Sequence, residues 1–308
     1  MTHKTDGIEF VGLGYCAVDY LCRVPRIPLD DKVEIEELAT AGGGPAATAT
    51  VAAQRLGART AFVGAVGDDE RGRLILEGLA RDGVDTHAVR IRAGAESPVA
   101  FCWIERGGRR SIAWTRGSVQ PLSSAEVDTA IIRGARLLHL DGHQTEAAIH
   151  AAGLARKFGV TVSLDAGTLV PGIETLVELS DIVIASAGFA ERFTGETEPE
   201  RSLRKLFGPG RQFAGITMGI HGSIGFDGTT LYRQTVLEAD VVDTTGAGDT
   251  FHGAFACQLL RGGNWAQCLR FASAAAALKC ERFGGRLGVP TLAETTRFLN
   301  GKDASCTS

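Results

Sequence analysis

A run of small residues next to two acids lies in the stretch VVDTTGAGDTFHGAFA, residues 241–256. Gly246, Ala247 and Gly248 come directly before Asp249, and the residues that follow are typical of a helix. The first backbone N–H groups of a helix have no partner within it, so they bind anions, and small side chains let a phosphate approach them. An acid beside a phosphate is repelled unless it accepts a proton. The pattern is suited to phosphoryl transfer, with Asp249 as general base and the three preceding N–H groups as an anion hole. The four residues GAGD alone fit a glycine-rich turn with Asp249 as a helix cap better, and the longer pattern DTTGAGDxFxGAF is far more specific.

The composition limits the classes of protein to which the chain can belong. With 308 residues, 44% of them hydrophobic and 22% charged, it can bury a full core. The net charge of -4 gives no basic excess, so neither nucleic acid nor an acidic membrane surface is an expected partner. The first residues contain no apolar signal core, and no segment is long enough to span a membrane. Seven cysteines without a CxxC pair favour reduced thiols, and we expect a cytoplasmic protein.

Short apolar runs alternate with alanine-rich segments along most of the chain, which predicts βα units around a mostly parallel sheet. The predicted strands include IEFVGLG, RTAFVGAVG, ARLLHLD, VTVSLDAG, DIVIAS and FAGITMG. The helices predicted between them include PAATATVAAQRLG, DERGRLILEGLARDG and TEAAIHAAGLARKFG. From Gly246 onward the chain is predicted to be mostly helical, with a frayed tail around Cys306.

Two segments, residues 15–41 and 97–118, interrupt this alternation. Each has alternating apolar and polar residues, and the second contains a turn at Gly107 and Gly108, so each predicts antiparallel β structure apart from the main sheet. Together they would form a small β lid over the site. Phe101, Trp103 and Trp114 in this lid are predicted either to pack beneath it or to contact a second subunit in a homodimer.

The full pattern DTTGAGDxFxGAF resembles the signature of the ribokinase family, which is also called the PfkB carbohydrate kinase family. The segment GGGPAATATVAAQRLGARTAFVGAVGDDERG, residues 42–72, resembles the second signature of that family. The segment RFASAAAALKCERFGGRLGVP, residues 270–290, is similar to its C-terminal region. The sulfofructose kinase-like subgroup is the nearest one, because GGGPAAT, ALKC and GGRxGxP recur there.

This resemblance implies a single domain over residues 1–308, folded as a three-layer α/β/α sandwich with a mostly parallel central sheet and a small β lid. It implies a kinase that phosphorylates a small sugar with ATP and Mg²⁺. Many members also bind a monovalent cation such as K⁺. The residues that match the family positions are Asp249 with Gly246, Ala247 and Gly248 for catalysis; Asp19, Gly42 and Gly43 for the sugar; Thr217, Gly219, Gly222 and Ser273 for ATP; and Asp243, Thr245, Lys279, Arg282 and Gly284 for the cation.

The chain departs from the family pattern at several positions. Ala47 stands where many members have an asparagine that touches the sugar. Ser186 and Phe189 stand in the places of the Asn and Glu of an NxxE motif associated with Mg²⁺, and Glu191 could replace that glutamate only after a shift of register. Gly288 lies where a hydroxyl residue is frequent at the cation site. We therefore expect Mg²⁺ to be held mainly by ATP and water.

Two other functions are compatible with parts of the sequence. VGLGYCA fits the GxGxxA fingerprint of an NAD-dependent oxidoreductase, but Pro25 and Pro28 disfavour the long helix that must follow it. A non-catalytic sensor of sugars or nucleotides could use the same fold. The retention of Asp249 favours the enzyme over the sensor.

The substrate is the least defined feature. An anionic sugar needs a cation at the end away from the reacting hydroxyl, and the candidates are Lys32, Arg109, Arg110, Arg116 and His143. His143 stands where sulfosugar kinases use arginine, and the adjacent Asp141 repels an anion. We therefore predict a neutral ketose or pentose, with Asp19 and Asp141 binding hydroxyls; a sulfonated or phosphorylated sugar is the alternative.

Overall fold

The computed structural model describes residues 7–305, with side chains as far as residue 302, so Cys306 lies outside the described part. The strands are β1 (Phe10–Leu13), β2 (Ala17–Val24), β3 (Glu37–Gly43), β4 (Thr60–Val63), β5 (Ala65–Gly67), β6 (Arg90–Arg92), β7 (Val99–Glu105), β8 (Arg110–Thr115), β9 (Leu137–Leu140), β10 (Thr161–Ala166), β11 (Ile182–Ser186), β12 (Phe213–Thr217), β13 (Ser223–Phe226) and β14 (Leu231–Gln234). The helices are α1 (Pro45–Arg55), α2 (Glu70–Arg81), α3 (Thr129–Gly134), α4 (Thr145–Phe158), α5 (Ile173–Leu179), α6 (Ala187–Thr194), α7 (Pro199–Leu206), α8 (Ala247–Leu260), α9 (Trp265–Cys280) and α10 (Leu292–Ser305).

Eight strands form the main sheet in the order β14-β13-β12-β11-β10-β9-β1-β4. The pairs from β4 to β12 are parallel, and β13 and β14 are added antiparallel at one edge. Because parallel strands end at the same edge, the residues after β1, β9, β10, β11 and β12 share one rim of the sheet. The prediction of a mostly parallel central sheet is confirmed.

Helices cover both faces of this sheet because the strands are apolar on both sides. Val11 and Val183 pack on one face against α3 to α7. Phe10 and Ile182, each one residue earlier, pack on the other face against α1, α8 and α9. The predicted three-layer α/β/α architecture is confirmed.

A second sheet stands apart from the first, in the order β3-β2-β7-β8. β2 pairs antiparallel with β3, β7 pairs antiparallel with β8, and the two hairpins join through a parallel pairing of β2 with β7. Because β2 is a strand directly after β1, the helix that a dinucleotide fingerprint needs is not formed there. One strand prediction was wrong: RTAFVGAVG splits, since β4 stays in the main sheet and β5 pairs with β6.

The two faces of the second sheet contain different residues. Trp114 pairs with Ala100, on the face that carries Asp19, whereas Phe101 and Trp103 alternate onto the opposite face. Trp114 contacts the rings of Tyr15 and His143, so it lies on the side of the sheet that faces the site, with 47% of its surface exposed. We therefore remove Trp114 from the surface predicted to contact a second subunit; Phe101 and Trp103 remain in that prediction.

Among residues 7–305, no helix combines the length and the apolar character that are needed to cross a membrane.

Helix α8 reaches the rim because small residues let it lie directly against α1. A Cβ atom at Gly253 would collide with the carbonyl oxygen of Ala49 and lie 2.8 Å from the Cβ of Ala52. The glycine and alanines of GAFA are therefore a packing surface that fixes the position of the beginning of α8.

We predict that Gly253→Ala destabilises the protein by about 1–3 kcal/mol, because the added methyl group overpacks this contact. Gly153→Ala in α4 is the matched control, since a Cβ atom there meets nothing within 4 Å. The control should be stabilised by about 0.5–1 kcal/mol through helix propensity. Urea unfolding measures both, and equal effects of the two substitutions would contradict the close packing of α1 and α8.

Candidate active site

Asp249 lies in the first turn of α8, where the backbone turns sharply. Gly246 precedes the helix with φ 73°, and a Cβ atom there would lie 3.0 Å from the Cα of Gly285, so this position requires glycine. The N–H of Ala247 donates to the carbonyl of Thr244 at 3.2 Å, so the expectation that all three N–H groups are unpaired was wrong for Ala247. Gly248 is exposed, and a side chain there would project into open space. The beginning of α8 is therefore accessible to a ligand.

The surroundings of Asp249 weaken the preference of its carboxyl for the ionised form. Enclosure by protein atoms, followed by the negative charge of Asp165, raises the pKa of Asp249 to about 7. The positive charges of His252 and Arg110 act in the opposite direction, and Asp19 adds to the increase. A carboxylate whose pKa lies near the working pH is suited to accept and release a proton.

An acid–histidine pair that sequence reasoning missed lies directly below Asp249. His252, one turn further along α8, places its Nε2 atom 3.2 Å from the Oδ1 atom of Asp165, at the end of β10. The side chains are 4% and 12% exposed. Burial would raise the pKa of Asp165 and lower that of His252, but their mutual attraction and hydrogen bond hold the first below and the second above its ordinary value.

His139, in the centre of β9, extends this cluster into the core. Its ring lies 5.6 Å from that of His252 and 5.7 Å from that of Phe10. The side chain is fully buried, and burial together with the charge of His252 lowers the pKa of His139 to about 3. His139 is therefore neutral and separates the charged pair from the apolar interior.

Asp19 and the glycine pair lie together where β2 and β3 meet. Cβ atoms at Gly42 and Gly43 would collide with the guanidinium of Arg286 and the carboxylate of Asp19, respectively, which explains both glycines. Arg286 is buried, and its Nη2 atom donates to the carbonyl of Gly43 at 2.8 Å. Burial raises the pKa of Asp19 to about 6, and the charge of Arg286 opposes this increase. Arg286 is a second residue that sequence reasoning did not assign, although it lies in the quoted GGRLGVP.

Ala47, which stands in the place of the family's asparagine, lies in α1 and is fully buried.

Asp141 connects the ends of three segments at the rim. Its Oδ2 atom accepts from the N–H groups of Tyr15 at 2.8 Å and Ala46 at 3.1 Å, and its Oδ1 atom accepts from that of His143 at 3.0 Å. Both oxygens are therefore engaged by the backbone. We assign Asp141 to the organisation of the site instead of the sugar contact that the sequence predicted.

Arg116 of the second sheet lies against His143. Its Nη1 atom donates to the carbonyl of His143 at 3.2 Å, and its Nη2 atom lies 3.2 Å from the Nδ1 atom of the same residue. The guanidinium also lies 5.4 Å from the centre of the Trp114 ring. The positive charge of Arg116 therefore lies beside His143, after the end of β9, where the sequence alone placed a neutral imidazole.

The other candidate cations lie in different surroundings. Lys32 is exposed in the loop between β2 and β3, and Arg109 forms an ion pair with Glu105 at 2.9 Å. Arg110 donates to the hydroxyl of Thr244 at 2.7 Å. The same hydroxyl donates to the carbonyl of Gly108 at 2.9 Å, so the tip of the β7–β8 hairpin is attached to the loop before α8.

The residues predicted to bind ATP lie at the end of β12 and on α9. Thr217 is the last residue of β12, and a short turn from Gly219 to His221 follows it. Gly222 has φ 78°, and a Cβ atom there would collide with the carbonyl oxygen of Gln234. Ser273 is half-buried on α9.

The positions of the missing NxxE motif offer no Mg²⁺ ligand. The hydroxyl of Ser186 accepts from the N–H of Phe189 at 3.2 Å and caps α6, and Phe189 is fully buried. Glu191 is exposed in the middle of the uninterrupted helix α6, so the register shift that could recruit it does not occur. These residues do not fit a Mg²⁺ ion held by the protein.

The five residues predicted to bind a monovalent cation do lie together, but the ammonium of Lys279 is among them. Its Nζ atom donates to the carbonyl oxygens of Asp243 at 2.6 Å and Arg282 at 3.3 Å. The two carboxylate oxygens of Asp243 accept from the N–H groups of Thr245 and Gly284, each at 2.8 Å. Because Lys279 uses two of these carbonyls, the residues present do not fit a bound K⁺ ion.

Known proteins resemble this chain over nearly its whole length. It matches the pfkB family of carbohydrate kinases over residues 9–292. An ATP-dependent ribose-1-phosphate kinase from Halopiger xanaduensis is 28% identical over 305 residues, covering 95% of this chain and 98% of that protein. A ribokinase from Arabidopsis thaliana is 30% identical over 304 residues, covering 94% and 80%. The solved structure of Arabidopsis thaliana ribokinase complexed with ribose and ATP has a TM-score of 0.83 and 29% identity, and covers 95% of this chain and 99% of that one.

We predict that Asp165→Asn lowers the pKa of His252 below its ordinary value, because burial is then no longer offset by the carboxylate charge. A histidine-selective NMR titration measures this, and the His252 signal is assigned by its loss in His252→Gln. The signal of His87, which pairs with Asp85, is the internal reference. An unchanged pKa of His252 in Asp165→Asn would contradict the buried pair.

Proposed function

Since the chain belongs to the pfkB family of carbohydrate kinases and is a phosphotransferase, we propose that it transfers the γ-phosphoryl group of ATP to a hydroxyl of a small sugar. The single observation that best supports this is the position of Asp249. Its carboxyl lies at the open beginning of α8 and has a pKa of about 7. A general base and an anion site are therefore adjacent, as phosphoryl transfer to a hydroxyl requires.

In the proposed reaction, Asp249 accepts the proton of the sugar hydroxyl while the hydroxyl oxygen attacks the γ-phosphorus of ATP; the bond from that phosphorus to the bridging oxygen breaks, and ADP leaves. The backbone at Gly246 and Gly248 and the partial positive charge at the beginning of α8 stabilise the negative charge on the transferred phosphoryl group. His252 and Asp165 surround the base with one positive and one negative charge. Burial is the largest cause of the raised pKa of Asp249; the charge of Asp165 adds to the increase and that of His252 opposes it.

We assign Asp19 to the sugar hydroxyls, because it is the buried acid of the second sheet beside the glycine pair. The face that carries Asp19 also carries Trp114. The second sheet would act as a lid that excludes water from the phosphoryl donor. The proposed nucleotide contacts are Thr217, Gly219, Gly222 and Ser273, and Mg²⁺ would enter with ATP, with most of its ligands from phosphate and water.

For the substrate we propose a neutral ketose or pentose. Two buried acids near the sugar site, Asp19 and Asp141, disfavour an anionic substrate. The guanidinium of Arg116 supports a second candidate, a sulfonated or phosphorylated sugar, because it lies at the strand end with His143. The relatives include proteins named for both kinds of sugar, a ribokinase and a ribose-1-phosphate kinase, so they do not decide between the two candidates.

We predict that Asp249→Asn lowers turnover by roughly 10² to 10⁴, because the amide cannot accept the proton. ADP release with a sugar panel measures turnover, and calorimetry should show that ATP binding is retained. Asp240→Asn, at an exposed carboxylate before the same loop, is the control. Near-normal turnover in folded Asp249→Asn would exclude Asp249 as the base, and no ADP release by the wild type with any sugar would contradict the proposed activity.

We predict that the wild type prefers fructose or ribose to fructose 6-phosphate and sulfofructose in one assay. Arg116→Gln should then change kcat/KM for the neutral sugars only slightly, because neither sugar carries a negative charge for the guanidinium. Lys32→Ala, at an exposed cation, is the matched control. A preference for an anionic sugar that is lost in Arg116→Gln and kept in Lys32→Ala would establish the second candidate instead.

A further inference from the structure

Lys279 is a fully buried lysine near the end of α9, and it faces the loop that precedes α8. Its side chain is 0% exposed. Besides the carbonyl oxygens of Asp243 and Arg282, its Nζ atom lies 3.9 Å from the Oδ2 atom of Asp243, which is also fully buried. A lysine in such a place needs charged and polar partners, because an isolated buried ammonium is strongly unfavourable.

These partners connect two loops. Asp243 lies in the loop between β14 and α8, three residues before Gly246, and Arg282 and Gly284 belong to the loop after α9. The N–H groups of Val242 and Asp243 donate to the carbonyl of Cys280 at 2.8 and 3.1 Å, and that of Gly284 donates to the carboxylate of Asp243. The ammonium therefore lies at the junction of the two loops, below the beginning of α8.

A diffusible K⁺ ion does not fit this arrangement. The family resemblance implies an ion bound by backbone oxygens of these same loops, and two of those oxygens already accept from the Nζ atom of Lys279. The lysine has room because position 288 is glycine: a Cβ atom there would lie 3.0 Å from the carbonyl oxygen of Lys279 and 3.1 Å from its Cε atom. The side chain of Lys279 can therefore occupy this space because Gly288 has no side chain.

We propose that the Lys279 ammonium is a covalently attached monovalent cation that replaces a bound K⁺ ion, so that neither stability nor turnover of this protein responds selectively to K⁺. The catalytic half of this proposal rests on the proposed kinase function, whereas the stability half does not. The ligand chemistry supports the exchange, because an ammonium and K⁺ carry the same charge and both bind carbonyl oxygens.

The positive charge of Lys279 offsets the negative charge of the buried Asp243 carboxylate. The two oxygens of that carboxylate accept hydrogen bonds from the N–H groups of Thr245 and Gly284. Burial lowers the pKa of Lys279, and the neighbouring charge of Asp243 opposes that change. With this pair in place, the backbone from Thr245 to Gly248 is fixed before any ligand binds, which is the preorganisation that an anion site needs.

The first experiment uses the wild-type protein in about 100 mM chloride of K⁺, Na⁺, Li⁺ or tetramethylammonium. We expect melting temperatures and turnover that are the same in K⁺ and tetramethylammonium. A selective increase of the wild-type melting temperature in K⁺, or several-fold activation by K⁺ over tetramethylammonium, would overturn the proposal. If the wild type releases no ADP with any sugar, the kinase assignment fails, and the melting temperatures still test Lys279.

The second experiment removes the attached cation. Lys279→Ala should be less stable than the wild type, and about 100 mM K⁺ should raise its melting temperature by roughly 2–6 °C more than Li⁺ or tetramethylammonium does. Its turnover should become K⁺-dependent and increase several-fold on K⁺ addition. Lys157→Ala, at an exposed lysine of α4, is the matched control and should respond to no cation.

A purely structural lysine would make the variant less stable but would not produce selectivity among cations. A folded Lys279→Ala that is as stable and active as the wild type in tetramethylammonium would overturn the proposal. A variant whose response to K⁺ equals that to Li⁺ would also overturn it. Lys279→Met, which keeps the length of the side chain without its charge and blocks the vacated space, should be inactive and insensitive to K⁺. If Lys279→Ala does not fold in any salt, the wild-type comparison decides the question.

Discussion

In the proposed function, the beginning of helix α8 must be open to a phosphate and fixed in position at the same time, and this constraint explains most of the candidate site. Since protein groups that covered its backbone N–H groups would block the phosphate, the turn at Gly246 must be held by contacts on its other side. The close approach of Gly246 to Gly285 and the hydrogen bonds of Asp243 provide this support. Further along the helix, Gly253 lets α8 lie directly on α1. An open helix end thus depends on dense packing and paired charges below it.

Each acid at the site has different charged or polar neighbours, and these neighbours determine whether its carboxyl can accept a proton. Asp165 has a histidine partner and remains ionised, whereas Asp249 lies within range of that negative charge and has a pKa of about 7. Asp243 has backbone donors and an ammonium, and Asp141 has three backbone donors. Four acids near one rim therefore have different roles because their partners differ. Burial raises the pKa of Asp249 to about 7 and that of Asp19 to about 6.

Local sequence patterns predicted the six parallel strands of the main sheet, because these strands are short apolar runs between helical segments. They also placed Asp249 at the start of a helix, since DTTGAGD carries that information within seven residues. Arg286 could not be assigned in this way, because its contact with Gly43 joins positions 243 residues apart. The pair of Asp165 and His252 was missed for the same reason, although each residue lay in a quoted segment. At the cation site the sequence predicted which residues meet, but the path of the Lys279 side chain decides what they bind.

The segment from Lys279 to Gly288 connects the two ends of the site. Lys279 supports the loop before α8, and Arg286, a few residues later, contacts Gly43 beside Asp19. Between them, Phe283 packs against Leu21 and Ala100 of the second sheet. The tip of the β7–β8 hairpin in that sheet is in turn attached to Thr244, next to the support of Lys279. The second sheet therefore contacts this segment through Phe283 and through Gly43 at the end of β3, and it contacts the loop before α8 through Thr244. A displacement of the sheet that moved these contacts would also move the backbone before α8, so closure of the proposed lid would act directly on the proposed anion site and on Asp249.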